Sequence, residues 1–280
     1  MKIGVTGATG QLGRLVIESL KSKVAANSIV ALVRNPEKAA GLGVEVRAFD
    51  YEKPDVAALS GIDKLLLISG NELGQRARQH SNVIEAAKSA GLKVIVYTSL
   101  LRADSSSLSL APEHAATEVA IKASGIGYTI LRNGWYTENY TGSVKGAVAA
   151  GAFIGSAGDG KIASAARADF AEAAAVVLTT DKYAGQTLEL SGDSAYTLAE
   201  LAAELSVQTG KTIPYQNLPE VEYAKILAGF GIPEGFAQAI ASWDVSASKG
   251  DLYDNAKVLS AIIGRPTTPL AKVVADALAG

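Results

Sequence analysis

Along the first 132 residues, short runs of Val, Ile and Leu alternate with longer runs whose apolar positions recur at helical spacing. The short runs fall at 2–6, 28–33, 44–48, 63–68, 92–98 and 126–132, and the helical ones at 11–23, 36–42, 54–60, 73–90 and 112–124. The short runs are apolar almost throughout, as strands are when helices cover both faces of a sheet. Six such strands with five crossovers predict an α/β fold built on a doubly wound parallel sheet. Gly91 and Gly125 stand where helices of this pattern are closed by a left-handed residue.

Beyond residue 133 the rhythm changes. A Gly- and Ala-rich connection through 134–164 precedes a helix at about 169–180, a strand at 186–190 and a helix at 197–209. Further helical periodicity covers 220–230, 234–243, 255–263 and the stretch from about 269. The expected organisation is a sheet domain over 1–150 and a smaller, mostly helical C-terminal domain over 151–280, with the chain free to cross back between them.

Composition narrows the chemistry. The 280 residues include no cysteine and two histidines, His80 and His114, which excludes thiol catalysis, disulfides and cysteine-ligated metal and leaves too few histidines for a His-based zinc site unless carboxylates complete it. Acidic and basic residues number 28 and 26, for a net charge of −2, which argues against nucleic acid as a partner. The longest apolar runs are one strand long, far short of the roughly 20 residues that span a bilayer. With a strand-like start and no leader pattern, the expectation is a cytoplasmic protein without membrane contact.

The first strand leads into Thr6-Gly7-Ala8-Thr9-Gly10-Gln11-Leu12-Gly13, and a helix follows. In that context Gly7 turns the chain, Gly10 lets the backbone approach a pyrophosphate, and Gly13 lets helix and strand pack closely. The unpaired N–H groups of the helix start then face the phosphates. An acidic residue at the end of the second strand would bind a ribose 2′-hydroxyl; the residue there, 21 positions after Gly13, is Arg34. A guanidinium suits a 2′-phosphate, so NADP(H) is expected over NAD(H). Asp50, after the third strand, either accepts from the adenine amino group, with Tyr51 covering the ring, or simply starts the turn before Pro54. Ser69, Gly70 and Asn71 end the fourth strand where a cofactor ribose or the phosphates would pass.

The short-chain dehydrogenases, the largest enzyme class with this turn, carry a Tyr and a Lys four residues later on the helix after strand five. This chain has His114 and Glu118 on that helix instead, one turn apart. The pair reads either as a carboxylate-oriented histidine able to donate a proton near neutral pH or as an ordinary helix-surface pair. Tyr97, one strand earlier, has no lysine at the needed spacing. Alcohol oxidation and sugar epimerisation through a keto intermediate therefore lose support. His80 reads as structural.

The glycine turn, Val33-Arg34-Asn35, the His114 to Glu118 segment and Tyr128-Thr-Ile-Leu-Arg132-Asn133-Gly134-Trp135-Tyr136 together resemble the NmrA-like branch of the atypical short-chain dehydrogenases, over the whole chain. The resemblance implies a Rossmann-type domain with a small C-terminal domain, and NADPH held by the glycine turn, Arg34 and Ser69 to Asn71. It further implies that Asn133, Gly134, Trp135, Tyr136, Thr137 and Glu138 lie along the nicotinamide end. Trp135 and Tyr136 offer flat surface for a planar substrate, or else anchor the second domain. Among members that reduce quinones and dyes, the expected reaction is flavin-independent hydride transfer from NADPH to a small planar quinone or related conjugated acceptor. The rival is a sensor of NADP(H) that regulates a partner without turnover. Oligomeric state is left open, a dimer included.

Overall fold

The computed structural model describes all 280 residues. Its strands are β1 (Ile3–Thr6), β2 (Ile29–Val33), β3 (Glu45–Ala48), β4 (Lys64–Leu67), β5 (Val94–Leu100), β6 (Gly127–Asn133), β7 (Phe153–Gly155), β8 (Thr187–Leu190) and β9 (Tyr215–Asn217). Its helices are α1 (Gln11–Lys21), α2 (Arg76–Ser89), α3 (Ala111–Ala123), α4 (Glu138–Thr141), α5 (Val144–Ala150), α6 (Arg167–Leu178), α7 (Leu198–Thr209), α8 (Glu220–Gly229), α9 (Glu234–Ser248), α10 (Val258–Ile263) and α11 (Leu270–Ala279). Two compact units result, the first made of Met1–Asp104, Pro112–Asn133 and Arg167–Leu190, the second of Ser105–Ala111, Gly134–Ala166 and Ser191–Gly280.

The first unit holds a seven-stranded parallel sheet in the order β3-β2-β1-β4-β5-β6-β8. The chain enters in the middle, winds to one edge, then returns past β1 to continue toward the other. The reversal lies between β1 and β4, where Val5 pairs with Ala31 on one side and Leu66 on the other. Ligands of such sheets bind beyond the carboxyl ends of the strands at that switch point. β1, β2 and β4 are buried along their whole length, as their unbroken apolar runs require.

Alternate side chains feed the two faces. Val30, Leu32, Leu65, Leu67, Ile95, Tyr97 and Ile130 form one core with Val83, Ile84 and Ala87 of α2 and Ile121 of α3. On the other face lie α1 and α6 in mutual contact. α1 buries Leu12, Val16, Ile17 and Leu20, and the run of small residues Ala171, Ala173, Ala174 and Ala175 in α6 lets the helices approach closely.

Two elements differ from the expectation. The predicted helices at 36–42 and 54–60 are short 3₁₀ segments, Pro36–Leu42 and Val56–Leu59, whose first N–H groups are capped by the Asn35 and Asp55 side chains. Left-handed glycines, Gly43 and Gly61, end both segments within a turn or two, and runs this short take i→i+3 bonding readily. The sheet also has seven strands where six were expected, because β8 pairs with β6 from Ile130↔Thr187 to Asn133↔Leu190. A strand that follows a long excursion carries no local mark of which sheet it joins. The chain accordingly leaves the first unit after Asn133, returns at Arg167 with α6 and β8, and leaves again after Leu190.

The second unit is mainly helical, with a two-stranded parallel ladder of β7 and β9. α7 begins with a reciprocal cap, the Thr197 hydroxyl accepting from the Glu200 N–H and the Glu200 carboxylate from the Thr197 N–H, and ends at left-handed Gly210. Asp244 of α9 is buried, accepting hydrogen bonds from the Ser156 N–H at 2.9 Å and the Tyr140 hydroxyl at 3.1 Å. Burial outweighs both bonds and pushes its carboxyl up to about 6.

A carboxyl raised in the folded state binds its proton more tightly there than in the unfolded chain. Its stabilising contribution is complete below the unfolded value near 4 and is lost as pH rises through about 6. Asp244→Asn, which does not titrate, is therefore expected to gain about 2 kcal/mol on the wild type between pH 4 and pH 7. Urea unfolding of both proteins across that range checks it, and a constant difference would refute the assignment.

Candidate functional site

The carboxyl ends of β1, β2 and β4, with the residues after β3, surround a groove of about 680 Å³ in the first unit. Its wall is laid by the glycine turn. Gly7 adopts φ +59°, in the left-handed region that favours glycine. Gly10 is the N-cap of α1 and supplies no side chain to the helix start, so the N–H groups of the first turn have no capping partner. A Cβ on Gly13 would lie 2.3 Å from the Gly7 carbonyl oxygen and 2.7 Å from the Ala8 Cα, both backbone atoms that cannot give way. Gly7, Thr9, Gly10, Gln11, Leu12 and Gly13 all line the groove, while Ala8 is buried behind it. This is a cradle shaped for phosphate, made of backbone donors at a positive helix end.

At the far end of the groove, Arg34 projects from the tip of β2 with Asn35 and Lys38 beside it. Its guanidinium reaches the Glu72 carboxylate at 3.1 Å, and both side chains are largely exposed. Gln79 donates to the second Glu72 oxygen at 2.8 Å and to Glu52 at 2.7 Å, and Arg78 holds Glu52 from outside. Asp50 lines the groove and also accepts from the Glu52 N–H at 3.0 Å, so it both starts its turn and faces the site. Tyr51 does not reach over the groove as a free ring. Its hydroxyl donates to the Ile68 carbonyl at 2.8 Å and bonds Thr6, which fixes the ring as part of the lining.

After β4, Ser69, Gly70 and Asn71 form the opposite lip. The Ser69 N–H donates to the Thr98 hydroxyl of β5 at 2.9 Å, and the Gly70 N–H to His80 Nε2 of α2 at 2.9 Å. Arg76, buried at the start of α2, donates from Nε to the Gly70 carbonyl at 2.8 Å. Arg76, Glu72 and Gln79 were not singled out from the sequence. Glu72 alone carried a local sign, since it directly follows Asn71.

His114 and Glu118 share a helix but not a bond. Glu118 is buried and bound at both oxygens by Arg132, at 2.8 Å each, and it accepts from the Ser99 hydroxyl at 2.6 Å. His114, also buried, bonds through Nδ1 to the Tyr97 hydroxyl at 2.8 Å. Burial, then the charge of Arg76, hold its imidazole well below the ordinary histidine value, so it is neutral at neutral pH. The orienting contact that one of the two readings of this pair required is not formed, because the Arg132 guanidinium takes both Glu118 oxygens. Tyr97 is fully buried and its phenol is pushed upward by that burial, so it is no ready acid either.

The segment expected along the nicotinamide end divides at the unit boundary. Asn133 ends β6, accepting from the Leu101 N–H at 2.9 Å, and Gly134 to Glu138 belong to the second unit. There Trp135 is buried edge-on to Trp243 with centroids 5.7 Å apart, and Trp243 meets Phe236 at 5.8 Å. Tyr136 pairs with Ala165 through a parallel bridge, and the Thr137 hydroxyl bonds Ser164 at 2.8 Å. Tyr136 and Glu138 are half-buried. The Trp135 ring is packed inside its own unit.

A doubly wound sheet with a phosphate-shaped glycine turn at its switch point defines a protein of the Rossmann type. Within that class the chain belongs to the NmrA-like family, whose model matches residues 1–263. It is 57% identical to quinone oxidoreductase 2 of Escherichia coli over 277 residues, 97% of each chain. The crystal structure of the NADPH-dependent quinone oxidoreductase of E. coli complexed with NADPH matches with a TM-score of 0.95 over 99% of both chains, at 56% identity. The triphenylmethane reductase of Citrobacter sp. complexed with NADP(H) matches with a TM-score of 0.95 at 41% identity, over 99% of this chain and 100% of that one.

The Glu118–Arg132 pair can be checked directly. Glu118→Ala strips a buried guanidinium of its two-toothed partner and leaves it to Glu189 and Asp104. The expected cost is about 3 kcal/mol in urea unfolding. A loss under about 1 kcal/mol would show that the pair is not the one that holds α3 to β6.

Proposed function

We propose that this protein binds NADPH in the groove of its first unit and reduces quinones, or related planar conjugated acceptors, by direct hydride transfer without a flavin. The observation that carries the reading is the pairing of a glycine cradle, in which Gly13 leaves no room for a Cβ, with a cation at the tip of β2. The 57% identity to an E. coli quinone oxidoreductase supports the acceptor class. The cofactor, when bound, supplies the hydride.

In this reading the N–H groups of Gln11, Leu12 and Gly13 hold the pyrophosphate, and Arg34 with Lys38 takes the 2′-phosphate. Asp50 lies at the adenine, and Ser69 to Asn71 fix the course of the rest. These residues bind and orient, which is where the catalytic gain arises when a reaction needs two bound rings in register. A quinone that accepts hydride becomes a phenolate-like anion whose conjugate acid has a pKa of about 10, by analogy with tyrosine, so water can protonate it. A dedicated acid is not needed, which fits the neutral, buried state of His114. No helix is long and apolar enough to cross a membrane, and we place the activity in the cytoplasm.

A sensor of NADP(H) without turnover is the second reading, favoured by the burial of both Tyr97 and His114 away from any acid role. Decay of NADPH absorbance with a soluble benzoquinone, in the absence of flavin, separates the two. Saturable turnover that prefers NADPH to NADH is expected, and tight NADPH binding with no turnover against several quinones would establish the sensor instead. Arg34→Ala should lower the preference for NADPH over NADH about tenfold or more through KM. His114→Ala should retain the wild-type pH profile between pH 6 and 8; a new pH-dependent loss would restore His114 as the proton donor.

A further inference from the structure

The lip of the groove at Gly70 is held by a closed circuit of hydrogen bonds. The Gly70 N–H donates to His80 Nε2 at 2.9 Å, and His80 Nδ1 meets the Thr117 hydroxyl at 3.0 Å. That hydroxyl donates to the Glu113 carbonyl at 2.8 Å. The Glu113 carboxylate accepts from the Arg76 N–H at 3.0 Å and from its guanidinium at 3.3 Å, and Arg76 Nε returns to the Gly70 carbonyl at 2.8 Å. Both backbone polar groups of Gly70, in two successive peptide units, are thus fixed by side chains of α2, and α3 closes the ring behind them.

The direction of the circuit is forced. The Gly70 N–H can only donate, so neutral His80 presents a bare Nε2 to it, carries its proton on Nδ1 and donates from there to the Thr117 hydroxyl. A charged His80 could not accept from Gly70, and complete burial beside the Arg76 cation keeps it neutral, its pKa depressed to about 3. Arg76, His80 and Thr117 are all buried, so the bonds are not exchanged for water. Thr117 also lies against the Tyr97 hydroxyl, the partner of His114.

We propose that Arg76, His80 and Thr117 are positioning residues that set the orientation of the Ser69 to Asn71 lip, and through it the affinity for the dinucleotide. None of the three reaches the cofactor in this account; they act on the Gly70 peptide. The inference rests on the reading of the groove as an NADPH site.

Thr117→Val tests it two bonds away from Gly70, with nearly unchanged shape. Without the hydroxyl acceptor, the His80 Nδ1–H is left unpaired, and the Gly70 N–H loses its acceptor whenever the proton moves to Nε2. The expected result is a KM and Kd for NADPH raised about tenfold with kcat within about twofold, by the cost of one unpaired buried donor. Thr117→Ser should restore the wild-type values. Imidazole ¹⁵N spectra should show His80 as the Nδ1–H tautomer in the wild type and in Thr117→Ser, and a shift toward Nε2–H in Thr117→Val. As a second route, His80→Gln can accept from Gly70 and donate to Thr117, and should bind NADPH within about threefold of wild type, whereas His80→Leu can do neither and should lose about tenfold or more.

Wild-type affinity in Thr117→Val and His80→Leu, in a protein that binds NADPH, would overturn the positioning role and leave the proposed function standing. An Nε2–H tautomer in the wild type would overturn the circuit itself. A wild type that binds no NADPH would sink both proposals, and the first titration, on unaltered protein, separates that failure from the others.

Discussion

At the centre of the first unit two stretches of backbone pass so closely that only hydrogen fits between them. The Gly13 Cα faces the Gly7 carbonyl at a separation where any side chain would collide with main-chain atoms. This contact sets the angle at which α1 leaves β1, and that angle has two consequences. It lays Leu12, Val16 and Ile17 against the sheet, where α6 can pack alongside, and it aims the uncapped start of α1 across the ends of β1 and β4. Packing and ligand cradle are therefore one constraint. Gly13 lets the core close and aims the helix start that Gly10 leaves uncapped, so a larger residue at 13 would damage both at once.

The groove built on this constraint is stiff on one side and soft on the other. The glycine wall and the Gly70 lip are backbone, held by buried side chains whose partners are all inside the protein. The far end is made of exposed charges, Arg34, Glu72, Lys38 and Glu52, whose positions cost little to change. A rigid phosphate cradle with an adjustable charged mouth suits a ligand whose middle is constant and whose end group must be distinguished.

The parts of this arrangement that the sequence made legible are those written in local spacing. Glycines three apart after an apolar strand, an arginine at the next strand's end and small polar residues after the fourth all converge on one groove. The short apolar runs marked the strands for a similar reason, since burial on both faces leaves no polar position to interrupt them. What escaped was settled between distant elements. Glu118 looked toward His114 one turn away, yet its partner is Arg132 on β6, and bidentate geometry decides the matter. β8 gave no hint that it would extend the first sheet, because parallel pairing needs no turn to announce it. His80 and Arg76 sat on a polar helix that offered no reason to connect them with Gly70.

The pairing of Arg34 with Glu72 follows the same logic of strong and weak contacts. In the proposed site, an arginine that reads a phosphate must be ordered enough to be in place and loosely enough held to let go of its internal partner. Both side chains are exposed, 67% for Arg34 and 45% for Glu72, so their mutual attraction amounts to about 0 to 1 kcal/mol. A phosphate monoester brings up to two charges and three acceptor oxygens, and its bidentate contact with a guanidinium is stronger than that. Glu72, for its part, is not stranded when Arg34 turns away, because its other oxygen keeps the Gln79 amide. The exchange is downhill for a ligand with the extra phosphate. For one without it, the arginine stays with Glu72, so in the proposed NADPH site the pair takes only its own small energy from the advantage that the extra phosphate brings.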